Sequence, residues 1–88
     1  MREKILIICR HEKWCVTWFN QLIRFLAYNK ANEESQLMVN KRHKCICVPN
    51  KEIIFASESQ RNNSEKAFKP DRVIEWDGEE VKMLWDLI

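Results

Sequence analysis

Apolar positions along the chain fall into runs of two kinds. Lys4 to Cys9 (KILIIC) is continuous and rich in β-branched residues, which predicts a short strand covered on both faces. From Trp14 to Tyr28 the apolar positions follow a helical period instead. At about 100° per residue, Trp14, Cys15, Val16, Trp18, Phe19, Leu22, Ile23, Phe25, Leu26 and Ala27 fill one arc of more than half the circumference, leaving the rest to Thr17, Asn20, Gln21, Arg24 and Tyr28. This pattern predicts a helix from His11 or Glu12 to Asn29, ended by the polar stretch Lys30 to Gln36. One face of a small domain needs an apolar stripe of only about 100°, so this helix is expected between two layers or under a second molecule.

Further along, the runs shorten. Leu37 to Val39 suits a short strand and Lys41 to Lys44 (KRHK) a basic turn. Cys45 to Val48 and Ile53 to Ala56 flank Pro49-Asn50, whose turn chemistry predicts a hairpin over residues 44–57. Residues 57–71 hold one large apolar side chain, Phe68, and read as a long surface loop. Arg72 to Trp76 (RVIEW) resumes as a strand. Asp77, with Glu80 three residues on, predicts a capping box for a last helix from Glu79 that buries Val81, Leu84, Trp85 and Ile88.

The order β-α-(β)-β-β-β-α predicts one small α/β (α+β) domain over residues 1–88. Its sheet, of three to five strands, is mixed or antiparallel, with the long amphipathic helix packed on it and a second helix at the C-terminus. Eighty-eight residues bury roughly 60 to 65% of the surface the unfolded chain exposes, so each large side chain counts. With 45% apolar and 32% charged residues the chain is expected to fold.

The longest apolar run, Ile5 to Cys9, is far short of a bilayer span, and no secretory cleavage site follows it, so an intracellular, cytoplasmic location without a membrane partner is expected. A bias toward Lys, Asn and Ile suits A/T-rich coding sequence such as that of a phage or mobile element. The single glycine, Gly78, excludes phosphate-cradling glycine loops, and with them ATP or NAD binding by those routes. No cofactor is expected.

Four constellations could carry chemistry. Cys9-Arg10-His11-Glu12 sits where the first strand hands over to the helix, a place where α/β proteins put ligands. Cys9, His11 and Cys15, with His43, Cys45 and Cys47, have the donor types of a zinc site, and pairing of their strands could bring the two groups together. Neither group has a CxxC knuckle, and free cysteine packs as a small hydrophobe, so core packing in the reduced state is the expectation. Lys41, Arg42 and Lys44, with Arg61, Lys66, Lys69 and Arg72, would form a nucleic-acid-binding surface if the two segments lay side by side. Glu75 and Asp77 share a strand face, with Asp77 expected as a helix cap.

The surplus apolar surface of the helix favours association over catalysis. The leading expectation is therefore a non-catalytic protein-binding module, a stoichiometric inhibitor or adaptor or a homo-oligomer, using Trp14, Trp18, Ile23 and Phe25. A small nucleic-acid-binding protein and a small zinc protein are the alternatives.

Overall fold

A computed structural model describes residues 2–29 and 37–88, and the expected end of the first helix at Lys30 to Gln36 lies outside them. The chain forms β1 (Glu3–Cys9), α1 (Glu12–Asn29), β2 (Met38–Asn40), β3 (Cys45–Val48) and β4 (Lys51–Ser57). A 3-10 turn (Glu58–Gln60), α2 (Arg61–Phe68), β5 (Arg72–Glu75) and α3 (Val81–Leu87) complete it. The five strands make one mixed sheet in the order β2-β3-β4-β1-β5. β1 lies parallel to both β4 and β5, whereas β2, β3 and β4 form an antiparallel meander.

β1 is the reason the sheet needs two covering layers. Ile5, Ile7 and Cys9 point to the α1 side and Leu6 and Ile8 to the other, all at most 2% exposed. A central strand buried on both faces must read as a continuous apolar run, which is what KILIIC is. On the α1 side, Cys15, Phe19, Leu22 and Leu26 of the helix meet Ile46, Ile53 and Phe55 of the sheet, with Phe19 edge-on to Phe55 at 6.1 Å.

The broad apolar arc of α1 is accounted for by a second cover. Leu84 is fully buried against it, with Val81, Trp85 and Ile88 packed around, and Trp76 lies on Trp18. Of the four residues expected to await a partner, Trp18 is therefore only 9% exposed, Ile23 and Phe25 are partly buried against the core, and Trp14 alone is open, at 45%.

Residues 57–71 are not the long loop that their composition suggests. They form the 3-10 turn and α2, which crosses the face opposite α1 to carry the chain from β4 to β5. Phe68 is the single anchor, 8% exposed among Leu6, Ile8 and Ala56. Arg61 ties the turn to the helix through Glu58 at 3.7 Å and Glu65 at 3.1 Å. Lys69 ends the helix in the left-handed conformation, φ 54°, its N–H donating to the Glu65 carbonyl. One apolar residue in the helix leaves no period to read, so its stability comes from tertiary contact and ion pairs.

The last helix also differs at its start. Its N-cap is Glu80, without a side-chain capping bond, so Asp77 does not cap it; Asp77 to Glu80 form a non-helical connection in which Gly78 passes close to the Trp76 ring. No helix among the described residues is long and apolar enough to cross a membrane.

Candidate anion-binding crevice

Neighbouring parallel strands whose chains leave toward opposite faces open a crevice at their carboxyl ends. β1 and β4 are such a pair. From Cys9 the chain turns onto the α1 face, from Ser57 onto the α2 face, and a crevice of about 750 Å³ lies at the divergence. One wall is Arg10, His11 and Glu12, a second is His43 and Lys44, and the third is Ser57, Ser59, Gln60 and Ser64.

The second wall is brought there by the turn between β2 and β3. Asn40 accepts the His43 N–H through Oδ1 at 3.2 Å, and Lys44 takes φ 51°, so that its carbonyl accepts the Phe55 N–H of β4 at 3.1 Å. Lys44 Nζ then reaches Glu12 of α1 at 2.7 Å, closing the back of the crevice with an ion pair. Opposite, the Ser57 and Ser59 hydroxyls share a hydrogen bond of 3.0 Å, with Ser57 only 3% exposed.

Arg10 is the residue on which the surface converges. It also borders a groove of about 640 Å³ walled by Trp14, Trp18 and Trp76, and a smaller hollow beside Glu58, Glu75 and Asp77. Among the described residues its guanidinium has no hydrogen-bond or ion-pair partner. An exposed, unspent guanidinium beside two histidines, a lysine and serine hydroxyls can grip an anion such as a phosphate, through charge and forked donors together.

The expected basic surface is only partly assembled. Lys41 and Arg42 stand exposed on the turn beside the crevice. Arg61 is held by Glu58, Glu65 and Glu75, the last at 2.6 Å, and the bonds to Glu75, foremost, and to Glu65 push its pKa further up. Arg72 binds Glu3 at 3.0 Å and the Leu87 carbonyl at 3.0 Å at the other end of the sheet, where Lys69 also lies, while Lys66 is exposed on α2. Of segment 61–72, the neutral Ser64 thus lines the crevice with His43 and Lys44, and none of Arg61, Lys66, Lys69 or Arg72 does. The pairing with Arg61 also occupies Glu75, so Glu75 and Asp77 are not a free acidic pair.

The two thiol groups are separated by the sheet. Cys9 and Cys15 lie in the α1-side core, 1% and 0% exposed, where a hydrogen bond between them, reinforced by burial, raises the Cys9 pKa far above the usual thiol range. Cys45 and Cys47 lie on the opposite face, their Sγ atoms 3.9 Å apart; burial, helped by Cys47, pushes the Cys45 thiol up to about 12. Among the described residues no group of three or more His, Cys, Asp or Glu side chains is placed to hold a metal ion, so the alternative zinc set is not assembled.

Arg10 and His11 stand in the strand-to-helix segment that the sequence already marks as a ligand position, whereas Ser57, Ser59, Gln60 and Ser64 are single polar residues at a strand end or on a helix that the sequence does not announce. The available signal is positional: Arg10 and Ser57 each sit at the exit of an apolar strand. No family model, curated protein or solved structure matches this chain.

Proposed function

We propose that the chain is a small non-catalytic domain that binds single-stranded nucleic acid across the β1/β4 crevice. The observation that carries this reading is the convergence of Arg10, His11, His43 and Lys44 from two distant segments at the point where the strands diverge. Lys41 and Arg42 continue the basic strip outward along the turn, and Ser59, Gln60 and Ser64 face it with neutral hydrogen-bonding groups. On the other side of Arg10, the half-open indole of Trp14 offers a face on which an unstacked base can lie. Two features of the site thus match the two demands of single strands, a charged track and a stacking platform.

A stoichiometric protein inhibitor or adaptor ranks second. Its support was surplus apolar surface on α1, and α3 and Trp76 take up most of that surface.

The test is fluorescence anisotropy with an end-labelled single-stranded oligonucleotide at two salt concentrations. For about three phosphate contacts, affinity should fall roughly 20-fold between about 50 and 200 mM salt. Arg10→Ala and Trp14→Ala should each weaken binding in folded protein. Absence of binding at the lower salt, or binding indifferent to both substitutions, overturns the reading.

A further inference from the structure

β3 presents a second chemistry on the sheet face away from α1. Ile46 points into the α1-side core, so Cys45 and Cys47 point the other way, where α2 packs mainly over β1 and β4 and both cysteines stay only half-buried. Their sulfurs are 3.9 Å apart. Two thiolates on one metal ion, with bonds of about 2.3 Å at angles between tetrahedral and trigonal, stand about 3.8 to 4.0 Å apart. The spacing is already that of two ligands to a single ion.

A third sulfur comes from the neighbouring strand. Met38 stands opposite Cys47 in the β2–β3 register, and directly paired residues share a sheet face with Cβ atoms about 4.5 to 5.5 Å apart. Met38 as a whole is 62% exposed, a position from which its flexible side chain can swing over the thiols.

We infer that Cys45, Cys47 and Met38 form a three-sulfur site for a soft monovalent metal ion, Cu(I). Softness decides between ions. Zn²⁺ prefers four donors drawn from thiolate, imidazole and carboxylate; Glu52 stands opposite Cys47 on β4, yet among the described residues no three His, Cys, Asp or Glu side chains are placed together to hold a metal ion. Two thiolates and a thioether are the donors that select Cu(I). The step involves no electron transfer: two S–H bonds release their protons to solvent, two thiolate S–Cu bonds and one dative thioether S–Cu bond form, the acetonitrile ligands leave, and the metal stays monovalent. The resulting single negative charge lies on a face that carries Lys4 as well as Glu52, paired across β1 and β4.

The experiment is an anaerobic competition for Cu(I), supplied as its acetonitrile complex, against a chromogenic Cu(I) chelator. The wild-type chain should withdraw one equivalent. Cys45→Ser/Cys47→Ser should withdraw none, and Met38→Leu should bind more weakly by over about tenfold, a change no smaller than that from losing an outer-shell partner. Circular dichroism verifies that the variants fold.

A measurement on the unmodified chain guards against a variant that does not fold. One equivalent of Cu(I) should protect Cys45 and Cys47 from alkylation, mapped by peptide mass. Unchanged labelling at these two positions, or Cu(I) retained by the folded double variant, overturns the assignment. Tighter retention of Zn²⁺ than of Cu(I) does so as well.

Discussion

The indole of Trp76 stands edge-on to that of Trp18, with ring centroids 5.4 Å apart and planes at 89°. This contact joins the end of β5 to the middle of α1. It is fixed by the Trp76 backbone N–H, which donates to the Ile8 carbonyl at 2.8 Å, and by Gly78, where a Cβ would fall on the indole ring. Only glycine lets the backbone lie so close to the indole.

Trp76 carries a cost within that contact. Its Nε1 is buried with no hydrogen-bond partner among the described residues, and an orphaned donor costs about 1 to 3 kcal/mol. Trp76→Ala should therefore lose about 3 to 5 kcal/mol of stability. Trp76→Phe, which keeps a ring and removes the orphan, should lose less than about 2 kcal/mol. Urea unfolding of the two variants checks this, and equal losses would mean that the N–H is satisfied in solution.

Glu12 tempers the crevice by occupying Lys44 at 2.7 Å. An ion pair this exposed contributes about 0 to 1 kcal/mol to stability. Glu12→Gln should thus leave the unfolding midpoint nearly unchanged while tightening oligonucleotide binding at low salt, and Lys44→Ala should weaken it. The gain in Glu12→Gln should shrink as salt rises. Identical affinities for Glu12→Gln and wild type would remove Lys44 from the binding surface.

Acid should loosen the sheet through Glu3. Its carboxylate accepts from Lys51 Nζ and from Arg72 Nε, each at 3.0 Å, and these bonds, with Lys51 foremost, hold its pKa below the ordinary 4.5. A carboxyl depressed in the folded state adds stability that is complete above the unfolded value and is lost as pH falls through the folded one. Urea midpoints should decline below about pH 4.5, and Glu3→Gln should start lower at neutral pH and decline less. An equally steep acid limb in Glu3→Gln would place the effect elsewhere.

Local pattern is enough to read β1, α1 and the hairpin. KILIIC can be apolar throughout only between two layers, the α1 arc has a helical period, and Pro49-Asn50 supplies a turn between two β-prone runs. The reading of α2 as loop fails because one buried residue, Phe68, leaves no repeat, and the helix depends on Leu6 and Ile8 from the far end of the chain. Asp77 has the residue type of a cap, yet the helix starts only at Val81 with Glu80 as its N-cap, after Gly78 has passed close to the Trp76 indole.

By itself, then, the sequence determined β1, α1 and the hairpin, and that β1 lies between two layers, because burial demands an apolar face of defined period. Only the tertiary structure decided the rest: β1 between β4 and β5, α3 rather than a partner over α1, Arg10 beside His43 and Lys44, and Cys45 and Cys47 on the face away from Cys9 and Cys15. The physical reason is that strand order and facing arise from pairings between residues tens of positions apart. Short apolar runs permit several such pairings, and the choice among them falls to the packing of the whole domain.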